Sequence, residues 1–171
     1  MTENLYTPNC IRTVSGQYVN IADPDPETIR IEDIAHALSQ LPRFGGHLPR
    51  FYSVAQHSMA CAELVEPELK LQALLHDASE AYLLDMPSPI KALLPEYQKL
   101  ELRFMEVVAK KFGFAWPMAP AVVDADRHQL QLEWHEVMLK PWKPAQFFTM
   151  SSSYANGAFM EAFHAFNAGN N

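Results

Sequence analysis

Glycine is scarce in this chain: six residues in 171, with no GxxxxGK and no GxGxxG, so a backbone cradle for phosphate is excluded. Only two cysteines are present, Cys10 and Cys61, far apart and forming no CxxC, so a reduced compartment is expected. Basic residues are outnumbered, 13 Lys+Arg against 20 Asp+Glu, for a formal net charge of −7. That balance argues against a general nucleic-acid binder, which would show a basic stripe. It leaves room for small phosphate substrates, which need only a local cluster of cations. No apolar run approaches the roughly 20 residues of a membrane span. The opening residues M-T-E-N-L-Y-T-P carry neither a basic n-region nor an apolar stretch, so the expected location is the cytoplasm, or the host cytoplasm for a phage-encoded chain.

What is present is an ordinary globular composition, 49% hydrophobic and 19% charged, and seven histidines. A chain of this length buries roughly 70% of its unfolded surface and needs no staples. One domain spanning 1–171 is expected.

Short β-branched runs on either side of Ser15-Gly16 predict a hairpin within Ile11 to Ile21. Asp23-Pro-Asp-Pro-Glu27 reads as a stiff acidic turn; the DxD lacks the Gly and distal Glu of a calcium loop. Beyond it the signals are helical. Ile31, Ile34, Ala35, Leu38 and Leu41 form one stripe, stopped by Pro42. Prolines and paired glycines make Leu41 to Phe51 a loop, unusually rich in Arg, His and aromatics. Ser53 caps a predicted helix to Glu66, and Pro67 opens another carrying Leu71, Leu74, Leu75 and Ala78. Ser88-Pro89 reads as a cap followed by a first-turn proline. Pro95 to Phe112 has Gly113 as its stop and Lys110-Lys111 in the last turn. Helices over Pro120 to Lys140, ended by Pro141, and Ala155 to Ala168, followed by Gly169, complete the pattern. The expected fold is all-α: a compact single-domain bundle of five to seven helices with a short N-terminal hairpin.

Chemistry concentrates in Leu74-Leu-His-Asp-Ala-Ser-Glu-Ala-Tyr82. His76 and Asp77 end a leucine-rich stripe, and Glu80, three and four residues on, is placed on their side of the helix. A bare His-Asp pair is common, and its neighbours give it weight. Val54-Ala-Gln-His-Ser-Met-Ala60 sets His57 among small apolar residues, and Val122-Val-Asp-Ala-Asp126 sets two carboxylates in an apolar turn. Buried carboxylates are costly unless paired or metal-bound. Two imidazoles and two carboxylates suit Mn, Fe, Co, Ni or Zn better than calcium.

The order His57, then His76-Asp77, then an Asp of Val122-Val-Asp-Ala-Asp126 resembles the H…HD…D pattern of the HD-domain metal-dependent phosphohydrolases. The run from His76 to Lys91 is similar to the subgroup of bacterial 5′-deoxynucleotidases, which includes phage dATP triphosphohydrolases. The resemblance covers about residues 30–135. It implies an HD-domain fold and a metal held by His57, His76, Asp77 and Asp126. Asp126 is chosen over Asp124 because the family pattern is Ala-Asp followed by an apolar helix, and Asp124 stays as the alternative. It implies Mn, Co, Zn, Fe or Ni as cofactor, or Mg with a polyphosphate substrate. Glu80 resembles the family's catalytic acid, acting with Asp77 and Lys91. Arg43, Arg50 and Lys91 are candidate phosphate cations, Lys91 in the first turn of a helix where free N–H groups favour anions. Arg43-Phe44 matches the family's Arg-aromatic pair, with Phe44 where relatives carry Trp; Asp85 and His47 complete the expected substrate contacts. The implied substrate is a deoxynucleotide, mono- or triphosphate; cyclic-nucleotide or alarmone hydrolysis and a catalytically silent nucleotide sensor are the rivals. No nucleic acid and no membrane partner are expected, and a homo-oligomer, dimer or larger, is. His36 and His164 read as packing residues, and His128 and His135 as a solvent or subunit face. The aromatic stretch Trp142 to Phe166 is left as either a cover for the core or a subunit contact.

Overall fold

Helix formation follows the caps and stripes of the sequence, with breaks where side chains take backbone bonds for themselves. A computed structural model describes residues 8–139 and 149–168. Two three-residue strands, β1 (Cys10–Arg12) and β2 (Tyr18–Asn20), pair antiparallel with Ile11 opposite Val19. The turn between them is tied to the first helix: Asp33 accepts from the Ser15 amide (2.8 Å) and hydroxyl (2.7 Å). Eight helices follow among the described residues: α1 (Ile31–Gln40), α2 (Val54–Ala62), α3 (Lys70–Leu74), α4 (Glu80–Leu83), α5 (Ser88–Lys91), α6 (Pro95–Phe112), α7 (Pro120–Glu133) and α8 (Ser152–Ala168). The all-α fold and the hairpin are as expected.

Helix α2 is the hub. It packs on α1, α3, α7 and α8, and is buried nearly all round, polar residues included. Its start is fixed by Ser53, whose side chain accepts from the Gln56 amide in a reciprocal capping box. The expected run to Glu66 stops at Ala62, because Pro67 forces Glu66 into an extended conformation. Phe104 and Phe159, from α6 and α8, are fully buried in the core beside Ile34, Leu38 and Leu74.

The single helix expected from Pro67 to Ala78 is instead a 3₁₀ turn (Pro67–Leu69), α3 and a series of turns. His76 supplies the reason: its Nδ1–H donates to the Ala73 carbonyl at 2.7 Å, taking the acceptor that the Asp77 amide would use in a continuing helix. His76 and Asp77 therefore sit in a turn, and Glu80 opens α4 rather than sharing their helix face. Ser88 does not cap; Pro87 precedes α5, whose four residues end at Lys91. Helix α7 passes after Glu133 into a π-helical turn over Trp134–Met138. Lys140, Pro141 and Gly169, expected at helix ends, lie outside the described residues. Of the aromatic tail, Phe159 and Phe163 cover the core; residues 142–148 lie outside the described residues.

The loop between α1 and α2 closes at its neck. Pro42 bridges Ser53, the Arg43 amide donates to the Tyr52 carbonyl (2.9 Å), and the Val54 amide to that of Leu41 (3.0 Å). Arg43 at the neck is buried, whereas the tip, with Gly45, Gly46 and His47, is exposed.

Candidate metal centre

Three elements meet at one point: α2 brings His57, the turn after α3 brings His76 and Asp77, and α7 brings Asp126. Each imidazole is oriented through Nδ1. His57 Nδ1 donates to Glu133 Oε1 at 2.7 Å, and His76 Nδ1 to the Ala73 carbonyl. With both Nδ1 atoms engaged as donors, the neutral form of each ring presents its lone pair at Nε2, the tautomer a metal-binding histidine needs. The two rings lie 5.3 Å apart, centroid to centroid.

The Nε2 atoms point at shared carboxylates. Asp126 Oδ1 is 3.0 Å from His57 Nε2 and 3.8 Å from His76 Nε2. Asp77 Oδ2 is 3.7 Å and 3.1 Å from the same two atoms. His76 Nε2 is buried and makes no well-formed hydrogen bond. Lone pairs facing carboxylate oxygens repel unless positive charge lies between them, as a proton or a metal ion. Burial lowers the pKa of both rings, with Arg43 adding to this at His57; Asp126, Cys61 and Glu133 outweigh it at His57, and Asp77 and Asp126 at His76, so both values rise. Burial would lift the Asp77 and Asp126 carboxyls, yet the two histidines hold both well below the ordinary range. The donor set fits a divalent transition ion. His57, Cys61, His76 and Asp126 form a group that could hold one. Asp124, by contrast, is exposed on the far side of α7 and pairs with Arg127 at 3.2 Å.

Behind the cluster lies a residue that the motif reading passes over, Glu133. It is fully buried; one carboxylate oxygen accepts from His57 and the other faces Arg43 Nε at 3.3 Å. Gln129 also donates to it, at 3.2 Å. The signal was available: Gln129 and Glu133 fall three and seven residues after Asp126, on one face of α7. Cys61, which the motif also leaves out, lies four residues after His57, one turn along α2.

Arg43 is placed inward. Its Nη1 lies 3.9 Å from both Asp77 Oδ2 and Asp85 Oδ2, at the edge of the cluster. The residues next to Arg43 and Asp85 are Phe44 and Leu84, both non-glycine at positive φ (55° and 72°). Such conformations cost on the order of 1–3 kcal/mol and persist only where the surroundings dictate them. Phe44 is half-buried, its ring 6.0 Å from that of Trp134. His47 and Arg50 are exposed, and neither side chain has a hydrogen bond or ion pair among the described residues.

Glu80 is 4% exposed, with Oε2 lacking any partner. Burial and then Asp77 and Asp85 push its carboxyl pKa well up, against Arg43 and Lys91. Burial also raises Asp85, against Arg43. Lys91, expected in the first turn of a helix, is the last residue of the four-residue α5, and its Nζ is bound to Glu101 Oε1 at 2.7 Å. A cavity of about 300 Å³ opens beside His76 and Asp77, walled by Lys91, Glu101, Trp116 and Met118. The centre and its surroundings thus gather six carboxylates (Asp77, Glu80, Asp85, Glu101, Asp126, Glu133) against two permanent cations, Arg43 and Lys91. Among the described residues no helix is long and apolar enough to cross a membrane. His36 hydrogen-bonds Gln40, and His128, His135 and His164 are exposed.

Fold and site together define an all-α protein with a buried histidine–carboxylate cluster suited to a metal ion. No family model matches the chain. It is 37% identical over 166 residues to the uncharacterized protein YfdR of Escherichia coli strain K12, covering 90% of this chain and 93% of that one. It is 36% identical over 140 residues to the uncharacterized protein RCAP_rcc00048 of Rhodobacter capsulatus, covering 74% of this chain and 71% of that one. The chain belongs to the family of YfdR.

Proposed function

We propose that the protein is an HD-type metal-dependent phosphohydrolase acting on a small deoxynucleotide. The observation that carries this reading is the convergence of two imidazoles, each with Nδ1 occupied, on Asp77 and Asp126 in a buried site where His76 Nε2 makes no well-formed hydrogen bond. His57, His76, Asp77 and Asp126 would hold the ion. When bound, a divalent transition ion supplies positive charge to phosphoryl oxygens and lowers the pKa of a water.

The chain's own groups account for the rest. Glu80, buried with one oxygen that makes no hydrogen bond, takes a proton from the attacking water as the water oxygen bonds to the α-phosphorus; the bond to O5′ breaks and the leaving O5′ takes up a proton from solvent. Arg43 Nη1, at the edge of the cluster, and Lys91, on the cavity wall, lie where phosphate oxygens would enter. Lys91 reaches them by exchanging its Glu101 partner. Trp116 and Met118 give the cavity an apolar wall for sugar or base, and Asp85 stands beside Arg43 to position the ribose or phosphate. A monophosphate yields nucleoside and phosphate; a triphosphate yields nucleoside and triphosphate.

A homo-oligomer is part of the same reading, supported by exposed apolar Val123 and Leu130 on one face of α7 and Trp134 at the start of the π-helical turn that follows it. The chemistry is tested by incubating the metal-loaded full chain with dAMP and with dATP and separating the products. Release of deoxyadenosine from one of them is expected, and release from neither overturns the assignment.

A further inference from the structure

Cys61 is fully buried, one helical turn after His57 on α2. Its Sγ lies 3.6 Å from His57 Nε2. Sγ, His57 Nε2, His76 Nε2 and Asp126 Oδ1 all fall within 4.8 Å of one another. A cysteine filling space would have no reason to turn its sulfur toward the lone pair of a ring already held by Glu133. A thiol hydrogen bond is the simpler account of the contact, but it leaves the neighbouring His76 Nε2 buried with no well-formed hydrogen bond, facing Asp77 Oδ2 at 3.1 Å. A shared ion serves both atoms. With metal–nitrogen bonds of about 2.0–2.1 Å and a metal–sulfur bond of about 2.3 Å, neighbouring N and S ligands in a tetrahedral site stand about 3.5 Å apart, close to the observed separation.

We propose that Cys61 Sγ is itself a metal ligand, binding as thiolate beside His57, His76 and Asp126, and that the ion is therefore thiophilic, of the zinc, cobalt or iron class, rather than magnesium or manganese. The inference rests on the metal-centre reading above and narrows it. The thiol proton leaves to solvent as the metal–sulfur bond forms. Thiolate sulfur disfavours hard ions that prefer an all-oxygen shell.

The test is a cobalt(II) titration of the reduced, metal-free full chain, read by absorption. Wild type should show weak visible ligand-field bands together with an intense near-ultraviolet sulfur-to-cobalt charge-transfer band. Cys10→Ser, altering the other cysteine, in the hairpin, should keep both. Cys61→Ser should lose the charge-transfer band and keep the visible bands, and in competition its preference for zinc over manganese should fall at least about tenfold. Visible bands without a charge-transfer band in the wild type overturn the proposal and leave the metal centre standing. A charge-transfer band that survives in Cys61→Ser also overturns it. Absence of both bands in the wild type overturns the metal centre and this proposal together. The wild-type spectrum decides the question even if a variant fails to fold.

Discussion

The interior of the site and its rim are built differently. Inside, both imidazoles and the carboxylate behind them are fixed by a second atom: His57 by Glu133, His76 by the Ala73 carbonyl, Glu133 by Arg43 and Gln129. At the rim, His47 and Arg50 stand in solvent and Lys91 is held by a partner it would have to leave. Interior side chains need no reorganisation to receive an ion, whereas rim side chains take up their roles only when a ligand arrives. Preorganised groups should therefore respond to substitution by large factors, and adaptable ones by small factors.

The sharpest break in that contrast lies within one helix. Asp126→Asn should abolish metal binding and turnover, while Asp124→Asn, on the exposed face of α7, should change neither; metal analysis and a phosphate-release assay on both variants check this. Glu80→Gln should retain the metal and lose about 100- to 10,000-fold in kcat, the usual worth of a positioned acid–base group. Equal loss of metal in this variant would make Glu80 a structural member of the cluster instead.

Glu133→Ala tests the support behind the ligands. It leaves the Arg43 guanidinium buried without its nearest partner, and unfolding in denaturant should show a loss of about 3 kcal/mol. Metal affinity should fall by about 10- to 100-fold as His57 loses its orienting acceptor. At the small end, His47→Ala and Arg50→Ala should leave the unfolding midpoint unchanged and alter kcat/KM by less than about tenfold. A larger effect at Arg50 would mean that the loop tip folds onto bound phosphate.

The same division governs how much the sequence discloses. Stripes, caps and breakers mark α1, α6 and the hairpin almost residue for residue, because local rules set them. The break at His76 was not legible: a leucine stripe predicts a continuous helix, and only the tertiary placement of the imidazole makes its bond to Ala73 worth the lost helical bond. His57, His76, Asp77 and Asp126 were legible as chemistry-bearing residues in apolar surroundings, and the structure brings them together. Glu133 and Cys61 were not singled out, although helical spacing from Asp126 and from His57 would have pointed to them. The inward turn of Arg43 depends on a loop neck closed by Pro42 and Ser53, a long-range contact that no local pattern encodes.

The central claim is that the interior cluster is a metal site. Its most direct test is the metal content of the full chain purified without chelator or metal-affinity resin, beside His76→Ala prepared identically. The account predicts close to one transition-metal ion per chain in the wild type and essentially none in the variant. A wild-type protein free of metal that also fails to take up added zinc or cobalt would contradict it.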